Sequence, residues 1–103
     1  RKKSSSTSPA ATPPTTVGLR LYIVKNAPNS LLAAFNLAAI CEEFLSVNFK
    51  LETIDVLEEP LRALADGILV TPSLVKFSPS PIAKIVGNLC DKGSVIRSLG
   101  MTV

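Results

Sequence analysis

A chain of 103 residues, 47% apolar and 5% aromatic, suits one small domain with a core of Leu, Ile, Val and Ala. No apolar run approaches the roughly 20 residues that span a bilayer, and the basic start leads into Ser, Thr and Pro instead of an apolar signal segment. The net charge of +3 comes from Arg1, Lys2 and Lys3, and without aromatic interleaving it makes no case for nucleic-acid binding.

The absence of histidine removes the commonest general base and metal ligand. Cys41 and Cys90 lie far apart and form neither a C-x-x-C redox motif nor a metal site. Reduced thiols in a cytoplasmic protein are the simplest expectation. Acidic residues crowd the middle of the chain, from Glu42 to Asp66, and Lys76, Lys84, Lys92 and Arg97 dominate the last third. That polarity suits a protein partner with complementary patches.

Residues 1–16 carry no large apolar side chain and read as a disordered tail, so the domain is expected over 17–103. Val17–Val24 alternates with a period of two and reads as a strand. After the loop Lys25–Asn29, a helix is expected from about Leu31 to Leu45, capped by Asn29 or Ser30. Ala34, Leu37, Ala38, Cys41, Phe44 and Leu45 would form its buried face. Phe49–Val56 is a second strand. Its apolar residues break strict alternation, which suggests a central position covered on both faces.

Strand, helix and strand at this spacing form a right-handed βαβ unit. Glu58 and Glu59 then precede a short helix, Pro60–Ala65, with Gly67 as its stop. In Ile68–Phe77, Pro72 cannot donate to a ladder and belongs at a strand's first residue or at an edge. The breaker-rich Ser78–Pro81 is a turn. Ile82–Val86 is a short strand antiparallel to its predecessor, ended by Gly87, and Asp91 can cap a last helix over Lys92–Leu99. The predicted order is βαβαββα, and Thr71-Pro72 opening an apolar strand resembles thioredoxin-like domains, where that bond is usually cis.

In a thioredoxin, the redox pair lies after the first strand, at the start of the first helix. Here Asn26-Ala27-Pro28-Asn29 has the spacing of C-x-P-C with asparagine at both thiol positions. An amide cannot form or attack a disulfide, so exchange is excluded there. Cys41 lies about three turns along the helix and cannot substitute. No Gly-rich phosphate loop follows any strand, so a binding module is expected, not an enzyme.

Taken together, Leu21-Tyr22-Ile23, Asn26–Ser30, Thr53–Val56, Ile68–Lys76, Pro81 and Ile85–Asp91 resemble the KaiB family. The resemblance covers about residues 19 to 99. It implies a non-catalytic protein of the cyanobacterial circadian clock that needs no cofactor and docks on the ATPase KaiC. In doing so it competes with the kinase SasA and helps sequester KaiA. It also implies two accessible folds: a thioredoxin-like monomer and a ground state, often tetrameric, with a rearranged second half. On this resemblance and on position, docking is expected through the face of the first helix and the neighbouring strand edge, with Asn26, Asn29 and Lys84 as the partner contacts. Pro72, Gly87, Asn88 and Asp91 are the expected fold-determining residues. Asn88 stands where the family usually has aspartate, and the acidic C-terminal tail is missing, so the thioredoxin-like state is expected to prevail. A SasA-like sensor domain of a histidine kinase is the alternative reading.

Overall fold

The computed structural model describes residues 16–44 and 48–100. Three helices pack around one four-stranded sheet in the chain order β1 (Thr16–Ile23), α1 (Pro28–Glu43), β2 (Asn48–Asp55), α2 (Pro60–Ala65), β3 (Ser73–Ser78), β4 (Ala83–Val86) and α3 (Lys92–Ser98). This is the expected βαβαββα succession. The expected tail lies outside the described residues except for Thr16, which opens β1, and so does Leu45.

The strand order across the sheet is β2-β1-β3-β4. β1 pairs parallel with β2 and antiparallel with β3, and β3 pairs antiparallel with β4. The central strand is therefore β1, and the expectation of a central second strand is corrected: β2 is an edge. Phe49 and Leu51 share the face of Leu19, and Ile54 shares that of Tyr22. Only Ile54 is fully buried in this strand. Apolar residues on both faces broke the alternation, but they do not reveal which strands lie alongside.

One sheet face carries the main core. Val17, Leu19, Leu21 and Leu74 pack with Ala33, Leu37 and Ile40 of α1 and with Val95, Ile96 and Leu99 around α3. Each fully buried Leu or Ile contributes about 1.5–3 kcal/mol relative to exposure. α1 starts earlier than expected, because Pro28 sits in its first turn, where the missing N–H is harmless. Ala27 is the N-cap and makes no side-chain cap bond. Asn29 and Ser30 thus lie inside the helix, and neither caps it. Ser30 is instead buried, and its Oγ accepts from the Val24 N–H at 3.1 Å. The buried face is Ser30, Ala33, Leu37 and Ile40. Ala34 and Ala38, expected inside, are exposed, and Cys41 and Phe44 are partly buried.

The other face holds a smaller cluster of Tyr22, Ile54, Ala63 and Val75 under α2. Its polar margin ties α2 to the sheet. The Tyr22 hydroxyl donates to the Asp66 carboxylate and lies 3.2 Å from the Arg62 carbonyl, while Arg20 Nη1 donates to Asp66 Oδ2 at 3.1 Å. Arg20 also stacks over Phe77, 4.3 Å from the ring centroid, a cation–π contact. The register shifts between Gly18 and Leu19, where Phe77 is the extra residue. Its ring closes over Gly18 so tightly that an added Cβ would lie 2.5 Å from Phe77 Cζ.

Gly67 ends α2 at φ +69°, as expected, and Asp91 caps α3 by accepting from the Ser94 N–H at 3.2 Å. Lys76 is buried on the main-core face, and its ammonium donates to the Leu99 carbonyl at 3.2 Å, at the C-terminal end of α3. A cation belongs there, where unpaired carbonyls leave a partial negative charge.

Candidate interaction site at the first turn of α1

β1 ends at Ile23, and the chain reverses through Val24–Ala27 with the Ala27 N–H donating to the Val24 carbonyl at 3.0 Å. Asn26 takes φ +69° in this turn, a conformation that asparagine tolerates better than most residues. The turn is pinned from three sides. Ser30 Oγ receives the Val24 N–H, Asp55 Oδ2 receives the Lys25 N–H at 3.3 Å, and the Ile23 carbonyl receives the Val56 N–H at 2.9 Å. The exposed side chains of Lys25 and Glu58 pair at 3.3 Å. Glu59, at the α2 N-cap, makes no cap bond and pairs with Arg62 instead.

Asn26 and Asn29 are both exposed. The register that sets Tyr22 opposite Ser73 brings Pro72 to the same end of the sheet as this turn. Pro72 is buried immediately before β3, and the Thr71-Pro72 bond is cis. The corner of a thioredoxin redox centre is therefore present, built from amides. Cys41 lies further along α1 and is half-buried, with its thiol pKa raised by desolvation, while Cys90 is exposed in the loop before α3. Among the described residues no cluster of His, Cys, Asp or Glu could hold a metal ion.

Lys84 lies elsewhere. It is on the opposite edge strand, level with Val75 on the α2 face, and its Nζ donates to the Gly67 carbonyl at 3.2 Å. The structure thus brings Asn26 and Asn29 together and separates Lys84 from them. Gly87, Asn88 and Asp91 line the connection from β4 to α3. Gly87 has φ +116° and donates to the Pro72 carbonyl at 2.9 Å. The Asn88 side chain accepts from the Cys90 N–H at 3.1 Å, and its carbonyl accepts from Asn36 Nδ2 at 2.8 Å.

Two features add to the expectations drawn from the sequence, one a new tie and one the residues of the expected docking face. Asn36 ties α1 to the β4–α3 connection, and its only signal was a polar residue inside an apolar helix. The other is the outer face of α1, where Leu31, Leu32 and Phe35 are 58%, 48% and 73% exposed, directly after the asparagine turn. Three large apolar side chains on one helix surface are the usual mark of a binding patch.

Fold and site together define a thioredoxin-like domain without thiols at its redox corner. The mitochondrial thioredoxin 3 of Saccharomyces cerevisiae shares the fold, with a TM-score of 0.66 at 15% identity, covering 85% of this chain and 80% of that one. The N-terminal domain of Synechococcus elongatus SasA is similar at TM-score 0.70 and 27% identity, over 93% of both chains. Residues 20–101 match the family model described as the KaiB domain. The circadian clock protein KaiB3 of Synechocystis is 42% identical over 81 residues, 79% of each chain. The chain belongs to the KaiB family.

Proposed function

We propose that this protein is a non-catalytic regulatory component of a circadian clock, acting by docking on a KaiC-like ATPase. Family membership supports the clock role. The observation that carries the docking mode is the continuity of the exposed Asn26–Asn29 turn with Leu31, Leu32 and Phe35 on α1. Apolar anchors bordered by amide donors and acceptors suit a protein surface, with the anchors supplying affinity and the amides fixing register. Lys84 would be a separate contact at the other edge of the sheet. A SasA-like kinase would compete for the same surface of the ATPase, and a KaiA-like protein would join the assembled complex.

The same reading gives Pro72, Gly87, Asn88 and Asp91 control over any second arrangement of the chain after α2. Two packings within a few kcal/mol are enough for such a switch. A cytoplasmic location accords with unpaired Cys41 and Cys90, and no helix of the described residues is long and apolar enough to cross a membrane.

The test is capture of the chain by a KaiC-like ATPase ring in each nucleotide state. Capture is expected, and Phe35→Glu should abolish it while leaving the circular dichroism spectrum unchanged. Absence of capture in every nucleotide state and at every temperature would refute the proposal. The SasA-like sensor reading has one specific support, the 93% mutual coverage with that sensor domain. It requires a kinase to follow Val103 in the reading frame, which transcript sequencing decides.

A further inference from the structure

α2 is short, and one of its flanks is apolar. Ala63 is its buried residue, and Arg62 turns toward β2, where its Nη2 donates to Glu52 Oε1 at 2.7 Å. Successive helical residues are about 100° apart, so Leu64 leaves the helix on the flank away from β2, with Leu61 beside it. Leu61 and Leu64 are 78% and 71% exposed. The chain returns along that same flank. The Ile68 N–H donates to the Ala63 carbonyl at 2.9 Å, and Lys84 of β4 holds the Gly67 carbonyl at 3.2 Å. Leu69 is 93% exposed there, and Leu57 and Val70 are exposed as well.

Between helix and returning loop lies a cavity of about 210 Å³, lined by Val56, Ala63, Ile68, Leu69, Val70 and Thr71. Single exposed leucines are ordinary. Five large apolar side chains gathered around an apolar groove mark a surface that another molecule covers. The flanking segments of this chain do not supply that cover. Residues 1–15 contain no large apolar side chain, and residues 101–103 follow α3, which packs on the opposite face of the sheet. An added strand has no ladder to join, because a helix and a loop form the walls. The rim is acidic: Glu58 and Glu59 are exposed between Leu57 and Leu61, each held by one exposed ion pair, to Lys25 and Arg62. Such pairs are weak and exchange readily. That rim favours a basic partner and repels an anionic lipid surface.

We infer that the groove beside α2 receives an amphipathic helix of a partner protein, apolar toward Leu61, Leu64 and Leu69 and carrying Lys or Arg beside Glu58 and Glu59. One apolar anchor enters the cavity over Val56 and Ile68, and its neighbours one turn away pack on the leucines. α1, with Leu31, Leu32 and Phe35, lies on the other face of the sheet. The groove therefore stays open when α1 is engaged, and it stands independently of docking on an ATPase.

Titration of the isotope-labelled full chain tests the assignment. The probe is a synthetic helix of roughly 16 residues, leucine on one face and lysine on the other. Shifts are expected at the amide resonances of Leu61, Leu64, Ile68 and Leu69. Leu64→Gln with Leu69→Gln should weaken binding by roughly tenfold or more while the circular dichroism spectrum is unchanged, since both side chains are exposed. A leucine and glutamate helix with the same apolar face should bind roughly tenfold more weakly than the lysine one. Phe35→Glu should leave the titration as it is, and the double glutamine variant should leave capture by the ATPase as it is, so the two docking surfaces fail separately. Shifts confined to Leu31, Leu32 and Phe35, equal affinity for the two helices, indifference to the glutamine pair, or no binding at all overturns the inference. So does flotation with anionic vesicles that the glutamine pair abolishes.

Discussion

Tyr22→Phe removes a single hydroxyl from the centre of the sheet, and the structure sets the size of the loss. The ring is almost fully buried in the cluster under α2, and phenylalanine fills the same space, so no cavity opens. What disappears is the donor to the Asp66 carboxylate. Hydrogen bonds to a charged acceptor contribute about 1.5–3 kcal/mol. Asp66 keeps its pairing with Arg20 Nη1 at 3.1 Å, so the carboxylate is not orphaned. A loss of about 2 kcal/mol is therefore expected at neutral pH. For a domain of this size that lowers the melting temperature by roughly 8–16 °C.

The phenol also makes the loss depend on pH. Burial, and after it the Asp66 hydrogen bond and charge, push the Tyr22 pKa up from 10.0 to about 12. An unfolded tyrosine releases its proton near pH 10 while the folded one holds it. The stabilisation is complete below about pH 10 and disappears as the pH rises toward about 12. Tyr22 is the only tyrosine and there is no tryptophan, so the ultraviolet absorbance of the phenolate reports this group alone. Urea melts followed by circular dichroism, at neutral and alkaline pH, provide the assay. The wild type should weaken over that interval more than Tyr22→Phe does. A loss below about 0.5 kcal/mol at neutral pH, within the scatter of ordinary surface changes, would refute the argument. So would a phenolate midpoint near 10 in the folded protein.

Two further outcomes follow from the loop before α3 and from the thiols. Asp91 is held below its usual value of 3.8, first by the Ser94 side-chain hydrogen bond and then by the Ser94 backbone N–H. Its contribution is present above the unfolded pKa and lost as the pH falls through the depressed folded value. The amide resonances of Val95 and Ile96 should therefore report α3 loosening in acid, and Asp91→Ala should remove that titration. Cys90 should react with a disulfide reagent much faster than Cys41, which is half-buried and whose thiol pKa is raised by desolvation. Cys90→Ser should eliminate the fast phase, and two equal rates would contradict the placement of Cys41.

The element order was readable because its punctuation is chemical. Pro60, Gly67, Pro72, Gly87 and Asp91 each mark a boundary that backbone geometry or capping enforces. The asparagine turn was readable for the same reason, since proline and spacing located it and the amides declared what it cannot do. The orientation of α1 was not. Leu31, Leu32, Ala33, Ala34, Phe35, Leu37, Ala38, Ala39 and Ile40 surround the helix with apolar residues, so several faces fit the periodicity equally well. Packing against Leu19, Leu21 and Leu74 settled it. For that reason the first helix could be expected to offer a docking face without Leu31, Leu32 and Phe35 being singled out as its exposed residues. Strand order was equally hidden, because apolar residues on both faces of β2 do not say whether anything lies beside it. The Tyr22–Asp66–Arg20 network joins residues more than forty positions apart, and no local pattern announces it.

Because β1 lies between β2 and β3, the unit formed by β1, α1 and β2 meets the unit formed by β3, β4 and α3 along one strand seam, Gly18–Tyr22 against Ser73–Ser78. The other fasteners are few and unlike one another: an amide from Asn36, the carboxylate of Asp66, the ion pair of Lys92 with Glu43, and the shared apolar layer beneath α3. The molecule is thus built like a book with its spine at the β1–β3 junction. Strain applied to the later cover would fall on that spine, while the asparagine turn lies wholly within the front cover.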